Sequence, residues 1–115
     1  VYGTPLRRCS QTWMPTTGYR RDGKCSTYHG DRGSHHVCLR DVSNGEFCGV
    51  TGQDNWCKDK MDWCVCEWAF ERAVSIAGCD AFDINCEATN IRSIQHYRNM
   101  GKVNAARCIK EQCQL

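Results

Sequence analysis

Between Asp31 and Cys38 the chain sets a carboxylate, the imidazoles of His35 and His36, and a thiol within eight residues, with His29 just upstream. In an extended segment successive side chains alternate, so His36 and Cys38 share one face while His35 and Val37 share the other. His36 with Cys38 is therefore a pair that can ligate a metal, or one in which the imidazole lowers the thiol pKa for nucleophilic attack. The same residues also read as architecture. Asp31 caps a turn, Gly33 supplies a left-handed angle, His35 bonds to backbone and Cys38 enters a disulfide. The architectural reading is preferred, so no catalytic residue, cofactor or metal ligand is assigned. Asp31, His35, His36 and Cys38 are the candidates if chemistry is present.

Other groupings weigh the same way. Arg21-Asp22-Gly23 offers an acid beside a base, but the triplet reads as a tight turn with Asp22 accepting local backbone bonds and Gly23 at positive φ. Trp13 and Trp56 lie in polar, loop-like surroundings, where a tryptophan serves as an anchor for a protein partner if exposed and simply packs if not, two readings of equal weight. Trp68 falls among Val65 and Ala69 and is expected in the core. There is no Gly-x-Ser-x-Gly nucleophile turn, and no glycine loop leads into a helix at phosphate-binding spacing.

Those groups must be positioned by a chain with eleven cysteines in 115 residues, a density that marks disulfide scaffolds of oxidising compartments. No Cys-x-x-Cys occurs, which removes the usual zinc knuckle and thioredoxin-like motif; the closest pair is Cys64-Val65-Cys66. Each bridge contributes about 2–4 kcal/mol in the chain-entropy picture, so several rival the net stability of a whole domain. The number is odd, so one of Cys9, Cys25, Cys38, Cys48, Cys57, Cys64, Cys66, Cys79, Cys86, Cys108 and Cys113 is left without an intrachain partner. The formal net charge is +2 with no run of one sign, which argues against a nucleic-acid stripe. No apolar stretch approaches the length needed to span a bilayer. A start at Val1 fits removal of a targeting segment.

Glycine and proline punctuate the chain up to Gly52, so no long helix is expected there. Short extended pieces are expected at Cys25–Tyr28 and His36–Leu39. From Asp62 to Ala77 the sequence reads as a helix burying Val65, Trp68, Ala69, Ala73, Ile76 and Ala77, with Arg72 at the edge and Gly78 as a left-handed cap. Thr89 reads as the N-cap of a second helix through Ile91, Ile94 and Tyr97, closed by Gly101. A third runs from Val103 to Cys113. The expected fold is a single small two-layer α+β domain over residues 1–115, with short strands in the first half and two or three helices in the second.

Several motifs recur in order. They are Gly3-Thr4-Pro5-Leu6 with Cys9-Ser10, Thr17-Gly18-Tyr19 into Arg21-Asp22-Gly23 and Cys25, Asp31-x-Gly33-x-His35-x-Val37-Cys38, Glu46-Phe47, Trp63-Cys64-x-Cys66, and Glu87-Ala88-Thr89. In these the chain resembles the uncharacterised, mainly bacterial domain-of-unknown-function family numbered 2237, over about residues 3 to 95. The resemblance implies a compact α+β domain and no activity. It also implies departures. The segment Cys48–Asp62 is shortened, and Lys24 stands where the family has a second cysteine beside Cys25. Cys9, Cys25, Cys38, Cys64 and Cys66 match the family; Cys48, Cys57, Cys79, Cys86, Cys108 and Cys113 do not. On that comparison the six additions form about three extra disulfides, and the loss at Lys24 leaves one family cysteine unpaired.

The functional expectation is a structural or protein-interaction module of an oxidising compartment, whether extracellular, periplasmic or an organelle lumen such as that of the thylakoid. It would act as an accessory subunit with a protein partner or larger complex, without nucleic acid. The alternative is a thiol- or metal-dependent enzyme or redox sensor built on Asp31–Cys38. A secreted toxin or effector is a third class, disfavoured by the near-neutral charge.

Overall fold

The computed structural model describes residues 1–11, 14, 16–42, 47–51 and 61–115. Trp13, Trp56 and Cys57, singled out above, lie outside the described residues. In order, the chain forms β1 (Val37–Leu39), α1 (Phe47–Thr51), β2 (Trp63–Val65), α2 (Glu67–Ala77), α3 (Ser93–Asn99) and α4 (Val103–Cys113), with single 3₁₀ turns at Cys79–Ala81 and Cys86–Ala88. It is a small α+β, disulfide-rich fold.

The strands pair antiparallel with Val37 opposite Val65, Cys38 opposite Cys64 and Leu39 opposite Trp63. Side chains alternate across the ribbon. Val37, Leu39 and Val65 enter the helical core with Phe47, Phe70, Tyr97 and Ile109. Cys38 and Cys64 point the other way, into a second small core with Cys9, Cys25 and Ala88. The sheet thus separates an apolar core from a sulfur core. Leu39 is also bridged to Ile84, which draws the segment after α2 back along β1.

Two strand expectations change. Cys25–Tyr28 forms no ladder, and the second strand lies at Trp63–Val65, within the span read as the start of a helix. Trp-Cys-Val contains no helix breaker, but its β-branched and aromatic residues suit the pleat once a partner strand is present. The helix proper begins at Glu67, one residue past Cys66, which is held extended at φ −75°, ψ 155°.

The buried face of α2 is also rotated from expectation. Glu67, Ala69, Phe70, Ala73 and Val74 are inside, whereas Trp68 and Ile76 are 52% and 55% exposed. Phe70 decides the rotation: its ring packs edge-on against both Phe82 and Tyr97, at centroid distances of 6.2 and 6.3 Å. Burying such a side chain is worth about 1.5–3 kcal/mol, and the aromatic contacts add to it. Gly78 ends the helix at φ 87°, ψ 155°, a positive φ outside the left-handed helical basin.

Thr89 is not an N-cap. It ends the Cys86–Ala88 turn, donates to the Asn85 carbonyl, and accepts the Cys38 backbone N–H at 3.1 Å. A strand 51 residues away claims the hydroxyl. Helix α3 begins instead at Ser93, and Ile91 is exposed. Helix α4 keeps the expected bounds, and its first turn is capped from outside. Glu71 on α2 accepts the N–H groups of Asn104 and Ala105 at 2.9 and 3.0 Å. A carboxylate at a helix N-terminus also opposes the macrodipole.

Candidate functional site

The segment Asp31–Cys38 folds as a tight turn docked on α2. Asp31, its side chain almost fully buried, accepts the His35 backbone N–H at 3.0 Å and contacts His35 Nδ1 at 2.7 Å. The left-handed residue is Ser34, at φ 49°, rather than Gly33. Gly33 is needed for a different reason: a Cβ there would lie 2.6 Å from Cε1 of the His35 ring, which Asp31 holds in place. The Gly33 carbonyl accepts the Glu67 N–H, so the turn seats itself on the first turn of α2.

His36 turns inward, 7% exposed, with Nε2 3.4 Å from the Thr27 hydroxyl and no hydrogen-bond partner at Nδ1. Burial lowers its pKa, and the His96 ring 5.9 Å away pushes in the same direction. His36 is therefore a neutral imidazole at neutral pH. Cys38 is not a thiol: it is bonded to Cys9. The paired imidazole and thiolate considered from sequence is accordingly not assembled.

What His36 meets instead was not legible from spacing. His96 on α3, Glu67 at the start of α2 and Ser34 of the turn converge beside it. His96 Nε2 lies 2.6 Å from Glu67 Oε2, an ion contact whenever the imidazole is protonated, and 3.0 Å from Ser34 Oγ. A nucleophile triad needs the hydroxyl on one imidazole nitrogen and the carboxylate on the other. Here both meet the same nitrogen, so the relay order of a triad is not formed; the Glu67 contact is one of distance alone, since Oε2 has no hydrogen-bond partner. Beneath them Tyr97, 1% exposed, has no hydrogen-bond partner for its hydroxyl, and burial raises its pKa well above the ordinary value.

Cys66, at the N-cap of α2, is the one free thiol among the described residues. Burial pushes its pKa up and the Glu67 and Asp31 carboxylates add to that; the Ala69 N–H at the helix start pulls the other way and is outweighed. A reactive cysteine needs the opposite environment. The only sequence signal for this cluster is an acid directly after Trp-Cys-x-Cys. Nothing in the spacing links it to His96.

The remaining described cysteines are structural. Cys9 pairs with Cys38, Cys25 with Cys64, Cys79 with Cys108 and Cys86 with Cys113, and Cys48 is also disulfide-bonded. The first two bridges join cysteines within residues 9–64 and the last two join cysteines within residues 79–113. Among the described residues, one set of three or more metal-type donor atoms lies mutually within 4.8 Å: the sulfurs of Cys9, Cys25 and Cys64, all engaged in bridges. The Asp31, His35 and His36 side chains do not form such a set.

Arg21-Asp22-Gly23 is a turn that carries a cysteine. Asp22 accepts the Lys24 N–H and the Tyr28 hydroxyl, Gly23 sits at φ 85°, and the Gly23 carbonyl accepts the Cys9 N–H at 2.6 Å. The Arg21 guanidinium lies 5.2 Å from the centre of the Trp63 ring.

Sheet, staples and turns together define a small α+β domain built around disulfides. A family model for an uncharacterised protein conserved in bacteria (DUF2237) matches residues 1–103, and the chain belongs to that family. No curated protein matches it.

Proposed function

We propose that this chain is a disulfide-stapled interaction module of an oxidising, extracytoplasmic compartment, acting as an accessory part of a larger assembly. The observation that carries the reading is that the reactive groups are tied into the architecture while large apolar side chains stand outside it. Cys38 is bridged, burial raises the Cys66 thiol pKa, and Ser34 and Glu67 share one nitrogen of His96. Trp68 and Ile76 project from the outer side of α2, two turns apart, on an element fixed by Phe70 and by the Cys79–Cys108 bridge just beyond it. Tryptophan on a rigid element is a favoured interface anchor, so Trp68 joins Trp13 and Trp56, which lie outside the described residues, as a candidate anchor. Among the described residues no helix is long and apolar enough to cross a membrane.

Two measurements test the reading. Alkylation of native protein without reductant should label Cys66 alone among the described cysteines, slowly at neutral pH and faster only above the ordinary thiol range. Fast labelling at neutral pH would bring the thiol-dependent enzyme or sensor forward. A photo-cross-linker at Ile76 in the native host should give a discrete adduct that Trp68→Ala removes. That variant should change stability by less than ~0.5 kcal/mol, as exposed positions do. Equal, diffuse adducts from Ile76 and from a control site at Tyr2 would defeat the assignment.

A further inference from the structure

We infer that the sulfur core behind the sheet is, once reduced, a tetrathiolate site for a soft divalent cation, zinc foremost, made by Cys9, Cys25, Cys38 and Cys64. All four are at most 1% exposed. The Cα atoms of Cys9 and Cys38 are 5.7 Å apart, those of Cys25 and Cys64 are 5.4 Å apart, and Cys38 faces Cys64 directly across the antiparallel pair. Three of the sulfurs already lie within 4.8 Å of one another. Zinc at about 2.3 Å from each sulfur places tetrahedral ligands roughly 3.8 Å apart, so the Cys38 sulfur, which lies outside that set of three, must swing in once its bridge to Cys9 opens.

The backbone does not depend on the bridges to keep these residues together. The Cys38 N–H is held by the Thr89 hydroxyl at 3.1 Å and the Cys64 N–H by the Thr17 hydroxyl at 2.8 Å. The Cys9 N–H is held by the Gly23 carbonyl, and the Cys25 carbonyl accepts from Asn90 Nδ2 at 3.0 Å. These bonds fix the main chain of the four residues independently of their sulfurs. The contrast is with the two C-terminal bridges. Cys79 and Cys86 are only partly buried, and those two bridges do not bring three sulfurs together.

The chemistry balances with one named reductant. A dithiol or phosphine supplies four electrons, and four protons complete the conversion of two disulfides to four thiols. One Zn²⁺ then displaces those four protons, leaving four thiolates around the cation. Thiolates select soft cations over magnesium or calcium. Two molecules of a small-molecule disulfide, taking up four electrons and four protons to become four thiols, return the four thiolates to two disulfides and expel the zinc, whose own oxidation state never changes. The stapled form and the metal form are alternative closures of one core, and this inference stands apart from the choice of partner at Trp68.

The test uses the whole chain, reduced with a phosphine under anaerobic conditions and titrated with Co²⁺ as a visible probe. The expected result is one Co²⁺ per chain with the thiolate charge-transfer and d–d absorption of a tetrahedral tetrathiolate, bleached by Zn²⁺. Differential alkylation with mass mapping should show zinc slowing Cys9, Cys25, Cys38 and Cys64 by at least ~10-fold, with Cys79, Cys86, Cys108 and Cys113 unchanged. Cys79→Ser/Cys108→Ser should keep the spectrum, and Cys9→Ser/Cys38→Ser should lose it. If the reduced chain unfolds without metal, zinc should restore its helical circular dichroism. Absence of the spectrum, or protection spread equally over the C-terminal cysteines, overturns the inference.

Discussion

Two of the bridges close loops of equal sequence separation, 29 residues for both Cys9–Cys38 and Cys79–Cys108, and that coincidence makes a sharp experiment. In the chain-entropy model such a loop removes about 12 cal/mol/K from the unfolded ensemble, or about 3.6 kcal/mol at 25 °C. Replacing either pair by alanines should therefore cost the same entropic amount, and any difference must come from packing. Cys9 and Cys38 are both fully buried, whereas Cys79 is partly exposed beside a buried Cys108. The first pair should lose about 1 kcal/mol more, from the larger void. Expected totals are about 4–5 kcal/mol for Cys9→Ala/Cys38→Ala and about 3–4 kcal/mol for Cys79→Ala/Cys108→Ala, out of roughly 5–15 for an ordinary domain. Urea unfolding followed by tryptophan fluorescence gives both the free energy and the slope. The slope should rise in both variants, because an unfolded chain with one staple fewer exposes more surface. A loss of stability with an unchanged slope would refute the entropic argument and assign the bridges' contribution to native packing.

Three further outcomes follow from particular contacts. Glu71→Ala removes both acceptors from the start of α4 and should cost about 1–2 kcal/mol, read as a lower thermal midpoint by circular dichroism. Tyr97→Phe removes a buried hydroxyl without a partner and should leave stability unchanged or raise it by up to ~1 kcal/mol; a loss larger than that would reveal a bond to the hydroxyl. His36, facing His96, His35, Asp31 and Arg92, has a folded-state pKa below its unfolded value near 6.5. The unfolded chain therefore binds more protons, and stability falls as pH drops below about 6.5 toward the folded-state pKa. His36→Asn should flatten that part of the urea-midpoint profile against pH.

How much of this was legible in the sequence depended on whether the deciding contact was local. Helix α4 was readable to its bounds because alanines, Ile109 and Cys113 set its face within one element. The architectural reading of Asp31 and Cys38 also rested on turn chemistry and cysteine density. Local rules failed where a distant group intervened. Thr89 has the side chain of a cap, yet the N–H of Cys38 takes it. Glu67 would be placed outside by its charge, yet His96 on another helix meets it and the Gly33 carbonyl receives its N–H. Trp68 looked apolar enough for the core, but Phe70 filled the space against Phe82 and Tyr97 and turned the tryptophan outward. The candidate cluster of His36, His96, Glu67, Ser34 and Cys66 spans three segments, and no periodicity within any one of them announces it.

The segregation of the bridges has a bearing on biosynthesis. Cys9–Cys38 and Cys25–Cys64 interleave within residues 9–64, while Cys79–Cys108 and Cys86–Cys113 interleave within residues 79–113, and neither pair of loops crosses into the other. A chain threaded N-terminus first into an oxidising space could close its first knot before the second set of thiols emerged. Eleven cysteines forming five bonds admit on the order of 10,000 arrangements, whereas the seven that emerge first admit about 100 with three bonds and the four that follow about 3. Vectorial emergence would then cut the pairing problem by timing alone.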